Sequence, residues 1–394
     1  MRTIPLYDKD GFIREFTAVV LDCQPAEDGW QVMLDQTGFF PEGGGQNADT
    51  GVLRIAEGQR MIEGTEVHVL DVQKEGDSTW HKTDGPVSVG TQVTGILNWK
   101  ERFSKMQHHS GEHIVSGLVH CRFGYNNVGF HLGSQVVTLD FDGVLTREEL
   151  RQIEYEANEA VAADLPILVT YPSREELQQI TYRSKIEIEG QVRIVEIPGY
   201  DVCACCAPHL HSTGQIGMIK LVDMQHFRGG VRVSMLCGFA ALADYNQKED
   251  SVRAISQSLS AREDRVAEAV ERLKQEIYQQ KGENMALSKA LLECKVEAVA
   301  PETERVVLIE HGLEGNQPRE LVNKLLEKGV QLACVFAGDD VSGYRYVIGS
   351  RSRDVRGLAR EMNESLQGRG GGKPEMVQGS VACNRAEIEA FLQM

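Results

Sequence analysis

Two segments that lie far apart in the sequence carry side chains of the kind that bind zinc. In the first, His109-Ser110-Gly111-Glu112-His113, two imidazoles are four residues apart. On a helix, side chains at this spacing project from the same face, so both can reach one metal ion. The second segment holds three thiols and an imidazole within seven residues: Cys203, Cys205, Cys206 and His209. A site with ligands from both segments requires a fold that brings them together.

Each segment also has a simpler explanation when it is taken alone. Helical histidine pairs at this spacing occur by chance, and thiols can be buried in a tight loop. Pro208 argues against an ordinary helix interior around the thiols, so we expect a turn to present them. Soft thiols and imidazoles from two segments together favour a zinc site, with one Zn²⁺ per chain.

A third segment is rich in glycine. Thr37 and Gln46 bound a run in which aromatic residues are followed by Pro41-Glu42 and three glycines. Such a run predicts a tight loop whose backbone can approach a ligand closely. A turn of a β-barrel explains the same pattern, and for the loop alone this simpler interpretation is favoured.

Length and composition indicate a soluble globular protein. The 394 residues are enough for two or three domains, and 41% of them are hydrophobic and 25% charged. No apolar run approaches the roughly 20 residues of a membrane span, and the first residues lack the apolar core of a signal peptide. We therefore expect no membrane partner and a cytoplasmic protein with reduced cysteines. The net charge of −17 argues against bulk coating of nucleic acid but leaves room for local basic surfaces.

The pattern along the chain predicts an α+β protein with four parts. Short strands rich in Val, Ile and Leu, divided by turn residues, indicate a small barrel or sandwich over residues 1–98, and we expect the β-barrel. Within it, residues 86–97 are expected to form one strand. Helical and strand-like segments then alternate over residues 99–245, the predicted zinc-containing domain, where residues 135–141 are a strand candidate. A helical linker over residues 246–298 and a small α/β domain over residues 299–394 follow.

The predicted linker repeats apolar residues at three-, four- and seven-residue steps from Val252 to Ile277. This spacing is typical of a long amphipathic helix, which we expect to bend back on itself near Gly282. Its apolar stripe fits either packing within one chain or a contact between two chains.

The C-terminal part carries a local excess of basic residues within an acidic protein. Between Tyr344 and Lys373 the basic residues are Arg345, Arg351, Arg353, Arg356, Arg360, Arg369 and Lys373. The acidic ones are Asp354, Glu361 and Glu364. This excess suits contact with phosphates, and a solvated helix face is the alternative.

Taken in order, these motifs resemble a family: the free-standing alanyl-tRNA editing proteins, in the long form of the AlaX family. These proteins are related to the editing and C-terminal domains of alanyl-tRNA synthetase. The matching residues are Phe40 to Gln46, Asp49 to Gly51, Trp99, Arg102, Met106, His109, His113, Cys205, His209, Thr213 to Gly217 and Gly370 to Gly379. The chain departs from the family at Cys206-Ala207, where two glycines are usual, and at Gln215, where an acidic residue is usual.

The resemblance implies an activity and a set of site residues. It implies hydrolysis of the ester that joins a wrong amino acid, serine or glycine, to alanine tRNA. It implies zinc ligands at His109, His113, Cys205 and His209; Cys206 is the alternative to Cys205, which the four-residue spacing to His209 favours. The residues predicted to contact tRNA are Arg102, Arg351, Arg353, Arg356, Arg369 and Lys373. The C-terminal domain is expected to recognise tRNA and, with the linker, to pair two chains.

The same family resemblance assigns the selectivity between amino acids to the glycine-rich loop. Thr37 takes the place of a pocket threonine that hydrogen-bonds the serine hydroxyl, or else its hydroxyl satisfies the loop backbone. Gln46 is expected to orient water or the ester carbonyl. Because four protein ligands fill a tetrahedral shell, we expect zinc to organise the site first and to act on water second.

Two other functions remain open at this point. One is a zinc-stabilised module that binds tRNA without catalysis. The other is a zinc protease, since His109 to His113 also fits H-x-x-E-H, with Glu112 as general base and Glu187 or Glu189 as third ligand.

Overall fold

The chain divides into two units, Met1–Ala254 and Ile255–Met394, and is a mixture of helices and sheets, as predicted. The computed structural model describes residues 2–55, 66–133, 136–184 and 190–393. Across these residues, no helix combines the length and the apolar character that a membrane span needs. The boundaries of the four predicted parts stay a prediction.

A closed six-stranded β-barrel forms the first part of the first unit, in the order β2-β3-β7-β6-β5-β8. The strands of this part are β1 (Ile4–Pro5), β2 (Glu15–Ala26), β3 (Gly29–Leu34), β4 (Gln36–Thr37), β5 (Gly51–Ile55), β6 (Glu66–Glu75), β7 (Ser78–Thr83) and β8 (Gln92–Leu97). β1 and β4 form a separate short pair, and the other six strands close the barrel. Alternate residues of β2 point inward and pack with Val32, Leu53 and Val93 in the barrel core. This confirms the predicted barrel.

Two barrel strands differ from the sequence prediction. β7 was not predicted, because its inward residues are Thr79, His81 and Thr83 rather than Val, Ile or Leu. The single strand expected over residues 86–97 is confined to Gln92–Leu97, because a turn at Gly90 precedes it.

The rest of the first unit packs helices on two small sheets. The elements are α1 (Trp99–Phe123), β9 (Asn127–Leu132), β10 (Val137–Phe141), α2 (Arg147–Ala162), β11 (Leu168–Thr170), α3 (Arg174–Leu177), β12 (Ile194–Ile197), β13 (Asp201–Ala204), β14 (Ile219–Phe227) and β15 (Gly230–Cys237). One sheet has the order β14-β15-β10-β9 and the other β11-β12-β13. Gln135, in the strand predicted over residues 135–141, lies outside the described residues.

Helix α1 is the central element of this region. Arg102 and every residue from Lys105 to Gly117 are buried, and they include polar side chains such as His109, Glu112 and His113. Because a buried polar side chain is costly without partners, the face that carries these residues must meet other polar groups. Gly124, in the left-handed conformation, ends the helix.

Two long helices follow, α4 (Gly238–Ser258) and α5 (Val266–Glu297). The predicted bend near Gly282 is wrong: α5 runs through this residue without a break. A single glycine costs a helix only about 1 kcal/mol, which 32 residues of helix tolerate. The break comes earlier, where Ser260 takes a φ of +48° between the two helices.

The second unit ends in a five-stranded sheet with helices on both faces. Its elements are β16 (Arg305–Glu310), α6 (Gln317–Glu327), β17 (Leu332–Asp339), β18 (Gly343–Ser350), α7 (Arg356–Ser365), β19 (Arg369–Lys373), β20 (Met376–Val381) and α8 (Arg385–Gln393). The order is β16-β17-β18-β20-β19, with only β16 and β17 parallel. One face packs on α6 and the other on α7 and α8, which is why β17 is buried on both sides.

Candidate metal centre

Four side chains from the two separated segments meet in the first unit. The donor atoms of His109, His113, Cys205 and His209 all lie within 4.8 Å of one another. The Sγ atom of Cys205 lies 3.5 Å from Nε2 of His109 and 3.4 Å from Nε2 of His209. A group of one thiol and three imidazoles at this spacing could hold a metal ion.

The second ring nitrogen of each histidine contacts a different polar side chain. Nδ1 of His109 lies 3.0 Å from Oε1 of Gln46, and Nδ1 of His209 lies 3.1 Å from Oγ of Ser110. Nδ1 of His113 lies 2.9 Å from Oδ2 of Asp201. Partners of this kind fix ring orientation and leave Nε2 free for a metal. The three rings are therefore oriented by the protein itself.

Helix α1 reaches Asp201 because it has a glycine at the crossing. A Cβ atom at Gly117 would lie 2.2 Å from the carbonyl oxygen of Tyr200, closer than real side chains approach. Glycine thus lets the helix backbone pack directly on the start of β13. The same crossing brings His113, one turn earlier on α1, beside the carboxylate of Asp201.

The glycine-rich loop reaches the same centre from the barrel side. Gly45 has a φ of +82°, and a Cβ there would lie 2.5 Å from the carbonyl oxygen of Phe130 on β9. Gly43 and Gln46 exchange two backbone hydrogen bonds in a tight turn, and the amide of Leu132 donates to Gly45. The loop therefore packs as a turn against β9, and this places the fully buried Gln46 beside His109.

The electrostatics of the cluster favour a thiolate. Burial alone would raise the pKa of Cys205, but the charge of His109 and hydrogen bonds from the rings of His109 and His113 hold this pKa well below its ordinary value. Burial likewise works against a charged His113, yet Asp201 and Cys205 hold its pKa well above the ordinary value. Burial lowers the pKa of His209 to about 3, so this imidazole is neutral. The thiolate of Cys205 and the neutral ring of His209 are therefore in the forms that bind a metal.

The geometry separates the two adjacent thiols. Cys205 lies inside the cluster, whereas Cys206 is exposed and is not one of the four donors. Nε2 of Gln46, a buried amide donor beside His109, makes no hydrogen bond to the described residues. The donor set, the thiolate and this unpartnered amide all fit a metal ion with substrate beside it.

Thr37 makes its contacts within the barrel. Its buried hydroxyl lies 2.8 Å from Nε2 of His81 and accepts a hydrogen bond of 3.1 Å from the amide of Phe39. The second contact is the backbone role that the sequence left open as an alternative. The structure therefore joins Gln46 to the metal cluster and Thr37 to His81.

Arg102 does not lie on the surface. Its side chain is fully buried and ion-pairs with Asp49, and it also donates to the carbonyl oxygens of Gly11 and Gly38. All of these partners belong to the protein, so this position argues against the predicted contact with tRNA. The residue instead ties α1 to the glycine-rich loop.

The other residues predicted to contact tRNA are exposed in the second unit. Arg351, Arg353, Arg356, Arg369 and Lys373 are all exposed, and the last two begin and end β19 at the edge of the sheet. Arg353 pairs with Glu304 and Arg356 with Asp354.

Sequence reasoning missed the partners of the histidines. Ser110 stands next to His109 in the motif, and this position was the available hint. Asp201 lies two residues before Cys203 and forms a further group with it and His113 that could hold a metal. Nothing in the spacing of Asp201 indicates that its carboxylate would meet α1, because that contact depends on how the helix crosses β13.

The protease interpretation is not supported by the cluster. Its donors are a thiol and three imidazoles, whereas H-x-x-E-H proteases use an acidic third ligand. Oε1 of Glu112, the proposed base, accepts hydrogen bonds from Ser116 and Asn127. Glu187 and Glu189 lie outside the described residues.

Three family models match separate parts of the chain. Residues 12–101 match tRNA synthetases class II (A), and residues 192–273 match the threonyl and alanyl tRNA synthetase second additional domain. Residues 302–394 match the DHHA1 domain.

Individual relatives match nearly the whole chain. The alanyl-tRNA editing protein Aarsd1 of Rattus norvegicus is 28% identical over 98% of this chain and 97% of its own length. The resemblance to the alanyl-tRNA editing proteins is confirmed. An alanine–tRNA ligase of Pyrococcus abyssi is 31% identical over the full chain, which spans 44% of that ligase. The solved C-Ala domain of Aquifex aeolicus alanyl-tRNA synthetase matches 24% of this chain and 89% of its own, at 17% identity and a TM-score of 0.22.

Proposed function

We propose that this chain is a trans-editing deacylase that hydrolyses serine, and as a second substrate glycine, from wrongly charged alanine tRNA. The observation that carries the proposal is the cluster of His109, His113, Cys205 and His209, in which each histidine ring also contacts a polar side chain outside the cluster. The relatedness to alanyl-tRNA editing proteins over the whole chain supports it. We propose that these four residues hold one Zn²⁺ in a cytoplasmic protein.

The ester that joins an amino acid to tRNA is already activated. Catalysis therefore mainly requires orientation of water and stabilisation of negative charge on the ester carbonyl. A bound Zn²⁺ would supply a Lewis acid at this place. The protein's own residues would orient the reacting groups.

Gln46 is suited to such orientation. With Nε2 of His109 as a proposed zinc ligand, Nδ1 carries the ring proton and donates it to Oε1 of Gln46. This contact fixes the direction of the amide, so its Nε2 is the free donor. We propose that this donor binds the ester carbonyl or the attacking water.

We propose that Thr37 supplies selectivity. A site that hydrogen-bonds a substrate hydroxyl can reject the analogue without it by up to about 10⁴–10⁵-fold in the best cases. Serine differs from alanine by one hydroxyl, which the buried Thr37 hydroxyl can recognise. The backbone contact with Phe39 leaves this recognition open, since a hydroxyl oxygen accepts two hydrogen bonds.

We propose that the second unit binds the tRNA through its exposed basic residues, Arg351, Arg353, Arg356, Arg369 and Lys373. We also propose that two chains pair through α5 and the C-terminal sheet. Leu273, Ile277 and Tyr278 on α5 are exposed apolar side chains that suit such pairing. Light scattering on the purified protein tests this, and a single-chain mass would contradict it.

The deciding experiment measures release of serine from serine-charged alanine tRNA, with alanine-charged tRNA in parallel. We expect rapid release of serine while the alanine ester is spared. Cys205→Ala is expected to abolish release and lose the bound zinc. Cys206→Ala is the matched control, because Cys206 is the next residue in the chain but its thiol lies outside the cluster.

Other outcomes separate the alternatives. Binding of alanine tRNA without release of any amino acid would favour a zinc-stabilised binding module. Equal zinc content in the Cys205→Ala and wild-type proteins would contradict the proposed ligand set.

A further inference from the structure

A buried histidine stands behind Thr37 and has no place in the function proposed so far. His81 on β7 is fully buried inside the barrel, with its ring edge-to-face on Phe39. Its Nδ1 lies 3.0 Å from the carbonyl oxygen of Val32, and its Nε2 lies 2.8 Å from Oγ1 of Thr37. Both ring nitrogens are therefore in hydrogen bonds.

The partners of His81 dictate where the protons lie. A carbonyl oxygen only accepts, so Nδ1 must carry a proton and donate it to Val32. Burial lowers the pKa of His81 to about 4, so the ring is neutral at neutral pH and its Nε2 carries no proton. The hydrogen bond between Nε2 and Thr37 is therefore donated by the threonine hydroxyl.

The direction of this hydrogen bond determines what the hydroxyl oxygen of Thr37 can still bind. Its single proton points to His81, and one lone pair accepts from the amide of Phe39. The remaining lone pair can only accept a hydrogen bond. A serine hydroxyl can donate to it, whereas the methyl group of alanine cannot and would leave this lone pair without a donor.

We propose that His81 is a positioning residue for selectivity, which holds the Thr37 hydroxyl as a pure acceptor for the hydroxyl of a serine ester. The inference rests on the proposed editing function and deepens it. Packing alone does not account for the residue, because an apolar side chain would fill a barrel core without needing two hydrogen-bond partners.

The test compares kcat/KM for the serine ester with that for the alanine ester. His81→Phe keeps an aromatic ring at this position but removes the ring nitrogen that accepts from Thr37. The Thr37 proton is then free to turn towards the substrate. We expect the serine-over-alanine ratio to fall at least about tenfold, as expected for one lost hydrogen bond. Thr37→Val should lower the ratio similarly, and the double variant should be no worse than Thr37→Val alone.

Two further variants separate positioning from a general effect on the barrel. His81→Gln offers an amide oxygen as acceptor and should keep the ratio within about threefold of wild type, since it restores that single hydrogen bond. Thr83→Val removes another buried hydroxyl from the same strand, one that donates to Gly85, and should leave the ratio unchanged. Equal losses on both esters in His81→Phe, or an additive double variant, would overturn the proposal.

A measurement without catalysis keeps the two proposals distinguishable. The ¹⁵N chemical shifts of the His81 ring, assigned by comparison with His81→Gln, should show a protonated Nδ1 and a bare Nε2 at neutral pH. A protonated Nε2 would overturn the inference even in an active enzyme. Absence of serine release by the wild-type protein, with the expected shifts, would instead overturn the editing function.

Discussion

At the scale of single residues, Asp201 has the largest consequence outside the four donors. Its carboxylate contacts Nδ1 of His113 and forms two hydrogen bonds with Arg183. Loss of an outer partner typically weakens metal binding by about 10–100-fold. We therefore expect Asp201→Asn to weaken zinc binding by that factor, measured by competition with a chelator.

Asp140→Asn is the control for this prediction. Its carboxylate also forms two hydrogen bonds with an arginine, Arg232, but it contacts none of the four donors. Equal zinc affinities of the two variants would refute the role of Asp201.

Arg102 is predicted to act on stability rather than on tRNA. Its charge is buried against Asp49, and removing one partner of a buried ion pair typically costs about 3–5 kcal/mol. Arg102→Gln should lower the free energy of unfolding in urea by that amount. The exposed pair of Arg54 and Glu66 gives the control, since Arg54→Gln should cost less than about 1 kcal/mol. A stable Arg102→Gln protein with weakened tRNA binding would restore the original prediction.

Most residues of the site could be predicted from the sequence, but the residues that hold them in place could not. The four donors meet as expected, because residue type and helical spacing carry that information. The place of Gln46 in the site was implied by the resemblance alone. Asp201, Ser110 and His81 were not found, since each acts through a contact with an element distant in the sequence. The burial of Arg102 was missed because a motif position does not tell which way a side chain points.

At the scale of elements, two glycines in helices are predicted to behave in opposite ways. A Cβ at Gly117 would collide with the carbonyl of Tyr200, whereas a Cβ at Gly282 meets nothing within 4 Å. We expect Gly117→Ala to lose about 1–3 kcal/mol of stability and, by shifting β13, to weaken zinc binding. Gly282→Ala should gain about 0.5–1 kcal/mol, because alanine favours helix. Thermal melts and zinc content of both variants test this, and a stable, zinc-loaded Gly117→Ala would contradict the crossing argument.

The elements that were predicted poorly share a cause. β7 and the β19-β20 hairpin hold residues that rarely signal strands, such as Thr79 and His81 or the three glycines from Gly370 to Gly372. Their strands form because neighbouring strands pair with them.

At the scale of the whole molecule, the proposed function requires an acidic chain to bind an acidic partner. With a net charge of −17, binding of tRNA should depend on the few exposed basic residues and weaken steeply with salt. The double variant Arg369→Ala, Lys373→Ala should reduce the slope of log affinity against log salt by about two.

Arg385→Ala supplies the control for tRNA binding. This residue is exposed but pairs with Glu389 on its own helix, so the slope should not change. An unchanged slope in the double variant would place the tRNA elsewhere.

The long separations within the metal centre also bear on how the protein is made. Gln46 and His109 are 63 residues apart, and His109 and Cys205 are 96 residues apart. During synthesis, α1 is complete long before β13 and the Cys205 turn exist, so its buried polar face then lacks the partners that these later segments supply. In the nascent chain, some polar side chains of α1 therefore lack hydrogen-bond partners for roughly 5–20 s, at about 5–20 residues added per second. This interval is when the growing chain most needs protection from aggregation.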